Sequence, residues 1–298
     1  MQLTVSTTML QDMVAKAMKG ASEEKNLHIT SLMRITLRDG VLELETTDAT
    51  NYLYIRRPDI IGEFFNAVVP VDIFSKLIAK QTCDTIVLEK DDNKLTVKGN
   101  GTYQIELPVG TDGKEIRYTN PILGTMDYIE EAEIRLSTLK LILDTAKSAL
   151  ADDLRDNCYT GYYVSDRVLA TDTFKICGID TPVLKNAVLI SPELMNLFEV
   201  FTDETVKMRT DGNKIVFETE TCAIFGYLMD NIKDFNVEAI SKFLGQEFKS
   251  HCIVSKDAML QLLDRLALFV DKYDKNEVYL TFTKDGVQMD SKRDNSTE

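Results

Sequence analysis

Tryptophan is absent from this sequence of 298 residues, proline occurs six times and histidine twice. With only His28 and His251, and neither in a ligand motif, imidazole-based metal or acid–base chemistry has almost nothing to work with. Cysteine is scarce. The five present (Cys83, Cys158, Cys177, Cys222, Cys252) are odd in number, scattered and never spaced as a zinc site or redox pair. They read as reduced thiols, mostly in the core. Long apolar runs are missing too: Leu139 to Leu143, interrupted by Lys140, falls far short of the ~20 residues a membrane span needs. The start, Met1-Gln2-Leu3-Thr4-Val5, has neither the basic end nor the apolar run of a signal peptide, so a cytoplasmic protein without membrane contact is expected. No phosphate-binding glycine loop or serine nucleophile elbow occurs. Cations are outnumbered, 34 Lys and Arg against 48 Asp and Glu, a formal charge of −14. That balance excludes a surface that grips nucleic acid all over and leaves room for a local basic strip.

What the sequence does have is repetition. Asn66-Ala67-Val68, followed by Asn93-Lys94, recurs roughly 120 residues on as Asn186-Ala187-Val188, followed by Asn213-Lys214. Between these anchors each copy reads as strand, short amphipathic helix, strand, turn, strand. The helices are expected over Val71 to Lys80 and Pro192 to Phe201. The strands are expected over Thr85 to Glu89 and Leu95 to Val97, then Thr205 to Arg209 and Ile215 to Phe217. A second match links the start to the end. After Ser6, apolar residues fall at Leu10, Met13, Val14 and Ala17; after Ser255 they fall at Met259, Leu262, Leu263 and Leu266 with the same spacing, one helical face twice. The middle counterpart, Leu139, Ile142, Leu143 and Ala146 after Ser137, is displaced by two residues. Ser6, Ser137 and Ser255 are the expected N-caps, each helix following a short strand (Leu3 to Val5, Ile134 to Leu136, Cys252 to Val254). Asp39-Gly40-Val41 recurs as Asp285-Gly286-Val287. The reading is an α+β protein of repeated domains, 1–127, 128–247 and 248–298, the third stopping after its first half.

Ala170-Thr171-Asp172-Thr173-Phe174-Lys175-Ile176 resembles the Ala-Thr-Asp-Gly-His-Arg-Leu signature in the middle domain of bacterial and phage-type DNA sliding clamps, the beta subunits of replicative DNA polymerase III. The similarity extends over Leu3-Thr4-Val5, Thr47-Asp48, Val69-Pro70-Val71, Ala149 to Arg155 and Leu228 to Phe235. It implies a head-to-tail homodimeric ring, helices lining a central hole and antiparallel sheets outside, holding duplex DNA topologically without sequence preference. No catalytic residue, cofactor or metal is implied. The partners implied are double-stranded DNA, the polymerase catalytic subunit, the clamp loader and repair proteins carrying clamp-binding peptides.

Three sets of site residues follow from that resemblance. Lys16, Lys19, Lys25, Lys76, Lys80, Lys140, Lys147, Arg155, Arg265 and Lys272 would face DNA; each lysine reads equally as part of a solvated helix face, and Pro192 to Phe201 has Glu193 and Glu199 but no cation. Tyr159, Thr171, Thr173, Phe174, Lys175, Ile176, Val237 and Tyr273 would line a partner-peptide pocket. Thr173 stands where the family has glycine, Phe174 where it has histidine and Lys233 where it has proline, which points to a different peptide preference. Thr171-Asp172 reads equally as an Asx-type turn closing a strand. Tyr103 on one side, with Leu268 and Phe269 on the other, would close the ring, Phe269 reading equally as core. A clamp-like protein that binds partner peptides without encircling DNA is the alternative. An enzyme using Asp48, Asp172 and Asp294 is the weakest reading, because one Asp per copy at a strand end fits a turn better.

Overall fold

The computed structural model describes residues 1–22, 28–110, 113–116, 118, 121, 126–152, 157–249, 251–269, 278–284 and 286–290. They fall into two compact units, Met1–Leu244 and Gly245–Glu298.

In the first unit one element order runs twice. The first run is β1 (Gln2–Ser6), α1 (Thr7–Ala17), β2 (Leu32–Arg38), β3 (Val41–Thr47), β4 (Asn51–Arg57), β5 (Phe65–Pro70), α2 (Val71–Ala79), β6 (Thr85–Asp91), β7 (Lys94–Lys98) and β8 (Thr102–Glu106). The second is β9 (Glu130–Arg135), α3 (Leu136–Ala146), β10 (Tyr162–Val164), β11 (Val168–Thr171), β12 (Ile176–Ile179), β13 (Val188–Ile190), α4 (Pro192–Asn196), β14 (Thr205–Thr210), β15 (Lys214–Glu218) and β16 (Cys222–Tyr227). α5 (Val237–Leu244) ends the unit. Strand spacing follows the chemistry of the turns. Asp39 and Gly40, both left-handed at φ 51 and 77, make the two-residue turn that joins β2 to β3.

All sheets are antiparallel. β1-β6-β7-β8 and β12-β11-β10-β13 each have four strands, while β5-β2-β3-β4-β16-β15-β14-β9 is one sheet of eight. The long sheet is half from each repeat, joined where β4 pairs with β16 from Asn51↔Gly226 to Cys222↔Ile55. Alternation puts Ile35, Leu37, Leu42, Leu44, Leu53 and Ile55 in the main core, against Leu10, Met13, Val14 and Ala17 of α1. Each fully buried Leu, Ile or Met there contributes about 1.5–3 kcal/mol of transfer free energy. The opposite face carries charge and is crossed by the connector between β8 and β9. Tyr118 packs on Leu32 and Val68, and Met126 and Tyr128 pack on Tyr54, Val216, Ala223 and Phe225.

Several expectations shift. Ser137 is not a cap: α3 starts at Leu136 with Arg135 in the capping position. Aligned from that start, the buried residues Leu136, Leu139, Ile142 and Ala146 match Thr7, Leu10, Met13 and Ala17, and the two-residue displacement disappears. Ser6 occupies the N-cap position of α1 without capping it, because its hydroxyl turns to Thr8 Oγ1 at 3.0 Å. Ser255 does cap, accepting from the Ala258 amide at 3.4 Å. The helix expected over Pro192 to Phe201 is α-helical only to Asn196 and continues as a 3₁₀ turn, Leu197–Val200. Of the cysteines, Cys158 and Cys222 are buried, Cys83 and Cys177 half-buried and Cys252 exposed, all unbridged, so the core holds fewer than expected.

The second unit contains α6 (Lys256–Ala267) and the hairpin β17 (Tyr279–Phe282) and β18 (Val287–Asp290). The strand expected over Cys252 to Val254 is absent. Its counterpart β1 is held in strand form by β6, and no described residue pairs with 252–254.

Candidate functional site

Thr171 closes β11, and its side chain organises the turn that follows. Thr171 Oγ1 donates to the Lys175 carbonyl at 2.7 Å and accepts from the Thr173 amide at 3.0 Å. Asp172 Oδ1 accepts from the Phe174 and Lys175 amides at 2.9 and 2.6 Å. The same bonds recur after β3, where Thr47 Oγ1 donates to Asn51 O at 2.6 Å and Asp48 Oδ1 accepts from the amides of Thr50 and Asn51. They recur again after β14 through Thr210 and Asp211. The third residue of each turn is left-handed: Ala49 at φ 82, Thr173 at φ 77, Gly212 at φ 92. Thr171-Asp172 is therefore first a turn module, used three times. Partial burial pulls the Asp172 carboxyl up, but the Lys175 and Phe174 amides and the Lys175 ammonium outweigh it and hold it below its ordinary value.

This turn stands beside an apolar cradle. Tyr159, Ile176 and Val237 pack with buried Cys158, Leu169, Leu189, Phe235 and Ile240. The Phe235 ring meets Tyr159 at 5.3 Å and stacks on Tyr163 at 5.1 Å. Thr171 is buried, Phe174 projects outward with 95% of its surface exposed, and Lys175 Nζ is fixed by the Ser148 carbonyl at 2.7 Å and Asp172 at 3.1 Å. The structure thus brings together Tyr159, Ile176 and Val237, with Thr171, Thr173, Phe174 and Lys175 in the adjoining turn. Tyr273 lies outside the described residues. Phe235, Ile240, Tyr163 and Cys158 were missed by sequence reasoning. The spacing Val237, Ile240, Leu244 on α5 was the available signal, one helical face that covers β12 so closely that a Cβ on Gly178 would sit 2.7 Å from Leu244.

The basic residues divide into two groups. Lys16 is bonded to Asp12 at 3.0 Å, and Arg57 reaches the same carboxylate at 2.8 Å. Lys19 pairs with Glu199 at 2.5 Å, tying the first repeat to the second, and Lys76 pairs with Asp72. By contrast, Lys80, Lys140 and Lys147 are exposed and have no ion pair among the described residues. Lys140 and Lys147 flank a groove of about 230 Å³ between α3 and α4, floored by Leu143, Met195 and Phe198. Arg265 is exposed on α6 of the second unit. Lys25, Arg155 and Lys272 lie outside the described residues.

The ring-closure residues are all at the surface. Tyr103 is 41% exposed on β8, an edge strand of its sheet; Leu268 and Phe269, just past α6, are 81% and 62% exposed. Phe269 is therefore not the core residue that its type also suggested.

No family profile matches the chain, and no curated protein does. Solved structures do. The DNA polymerase sliding clamp of Bacillus subtilis superposes with a TM-score of 0.82 at 18% identity, over 99% of this chain and 81% of that one. The beta subunit from the DNA polymerase of Streptococcus pyogenes gives 0.83 at 16% identity, over 99% and 81%. The sliding clamp of Pseudomonas aeruginosa bound to griselimycin gives 0.81 at 16% identity, over 95% and 78%. The chain has the fold of a DNA polymerase sliding clamp. More particularly, its structural neighbours are bacterial DNA polymerase III beta subunits, of whose length it spans about four fifths.

Proposed function

We propose that this chain is a sliding clamp that confers processivity on a replicative DNA polymerase by encircling duplex DNA as a head-to-tail homodimer of three like domains, 1–127, 128–247 and 248–298. The observation that carries the reading is the β4–β16 junction. The strand equivalent to β16 in the first repeat is β8, and the strand equivalent to β4 in the second is β12. Both are edges among the described residues, so each offers the backbone groups that the junction satisfies. Repeating one junction through equivalent edges propagates the chain head to tail, with Tyr103 on one side of the ring-closing seam and Leu268 and Phe269 suited to its other side.

DNA would be held by topology, with sequence-blind assistance from Lys80, Lys140 and Lys147, and Arg265 from the third domain. Lys16, Lys19 and Lys76, already paired with carboxylates, contribute less. The Tyr159, Ile176 and Val237 cradle and the exposed Phe174 would receive apolar side chains from peptides of the polymerase, the clamp loader and repair proteins. The chain would work with the cytoplasmic replication machinery as an accessory subunit without catalysis of its own.

Replacing both Lys140 and Lys147 by Ala is expected to lower equilibrium affinity for short linear duplex several-fold and flatten its salt dependence by about two ions, whereas Lys16→Ala changes little. Equal losses from the paired and unpaired lysines would count against this assignment. Those ion pairs also favour the second reading, a clamp-like protein that binds peptides without encircling DNA.

A further inference from the structure

The two faces of β12 have different neighbours. Cys177 and Ile179 pack on the main core, so Ile176, and by alternation Gly178, face the cradle. On that second face lies α5. Ile240 is packed among the cradle residues at 6% exposure, and Leu244 reaches over Gly178, where a Cβ would lie 2.7 Å from Leu244 Cδ1. Glycine at this strand position is what lets the helix close down on the sheet.

What holds α5 there is slight. Ile240 is the one buried residue of the helix, Leu244 is 36% exposed and Phe243 is 52% exposed. Glu238, Ser241 and Lys242 make no hydrogen bond or ion pair with another described residue. At its start Asn236 acts as cap, its Oδ1 accepting from the Ala239 amide at 3.0 Å and its carbonyl from the Ile240 amide at 3.2 Å. Phe235, immediately before, is anchored separately, 4% exposed and stacked on Tyr163. At its other end α5 reaches Leu244, the last residue of the first unit. A helix this short is marginal in water by itself, so α5 can lift about Asn236 without disturbing Phe235 or the strands beneath.

We propose that α5 is an autoinhibitory occupant of the cradle. Ile240 and Leu244 fill the apolar positions that the side chains of a partner peptide take, and such a peptide binds the molecules in which the helix has lifted. The inference rests on the reading of the cradle as a peptide site. If α5 is seated about nine-tenths of the time, apparent affinity falls about tenfold relative to an open cradle.

The probe is a fluorescent peptide with the sequence Asn236 to Leu244, titrated by anisotropy into the full chain. Ile240→Ala combined with Leu244→Ala empties the seat, keeps helix propensity and leaves Val237 in place. The expected result is that the peptide binds this double variant at least about tenfold more tightly than the wild type, and that adding Ile176→Ser removes the gain. Equal affinity for the two, lost with Ile176→Ser, overturns autoinhibition and leaves the peptide site standing. Binding indifferent to Ile176→Ser, or no binding to either chain, means that the cradle is not a peptide site, and the proposal falls with that reading. Hydrogen exchange of the isotope-labelled wild type is a check that needs no variant. The α5 amides are expected to exchange at least about tenfold faster than those of β11, and faster still with saturating peptide; α5 amides as protected as those of β11 overturn the proposal.

Discussion

Glu45 shows how one carboxyl can set the pH response of the fold. It is 3% exposed, and burial and Glu43 raise it from an ordinary 4.5 to about 8. The folded chain therefore binds a proton that the unfolded chain releases through that window. The stability this carboxyl contributes is greatest below 4.5 and is lost as pH rises toward 8, by up to roughly 5 kcal/mol for a displacement of this size. Urea unfolding across pH 5–8 checks it: Glu45→Gln is expected to flatten the slope, and an unchanged slope would remove Glu45 as the cause. Thr173 makes a second residue-scale case. At φ 77 it sits where glycine is at ease, so Thr173→Gly is expected to raise stability by about 0.5–1 kcal/mol in the same assay. Residues of this kind were only half legible. Thr171-Asp172 was readable both as a family signature and as a turn, and its three-fold use shows that the turn comes first. The position of Glu45 beneath the connector, and the orphaned Tyr118 hydroxyl, depend on which strand faces are covered, which no local pattern reveals.

Strands β3, β4 and β15 are cross-linked on their charged face. Arg56 on β4 reaches Glu43 at 2.6 Å and Glu218 on β15 at 2.8 Å, spanning β16, while Arg209 on β14 takes the other Glu218 oxygen and lies 4.6 Å from the Tyr128 ring centre. Arg56 is only 22% exposed, so removing it leaves the partly buried Glu43 without its cation and Glu218 with Arg209 alone. Arg56→Ala is expected to cost about 2–4 kcal/mol, with a coupling to Glu218→Ala measurable in a double-mutant cycle. A cost under about 0.5 kcal/mol would mean the pairs are solvent-screened. At this scale the sequence was most informative. The strands around Asn93-Lys94 and Asn213-Lys214, and α2, fall where alternation and helical spacing put them. It failed at caps, because Ser137 advertises an N-terminus that α3 reaches two residues earlier, and in the second half of the Pro192 helix, where 3₁₀ and α share one apolar spacing.

For the whole molecule, repetition was legible and the way the repeats join was not. Two matched runs of ten elements follow from recurring anchors in the sequence, but the eight-stranded sheet arises because β4 of one repeat meets β16 of the next, a pairing between strands distant in sequence. That junction and the open edges β8 and β12 underlie the reading of a closed ring. If Tyr103 lies in the seam, Tyr103→Asp is expected to shift the dimer toward monomer by about tenfold or more in sedimentation, without changing the unfolding midpoint of the monomer. The most direct test is retention on DNA of two shapes. The full chain is assembled on a nicked circular duplex, filtered in high salt, and the circle is then cut once. A ring remains with the intact circle and is released when the circle is linearised; equal retention before and after cutting, or none on the circle, would contradict encirclement.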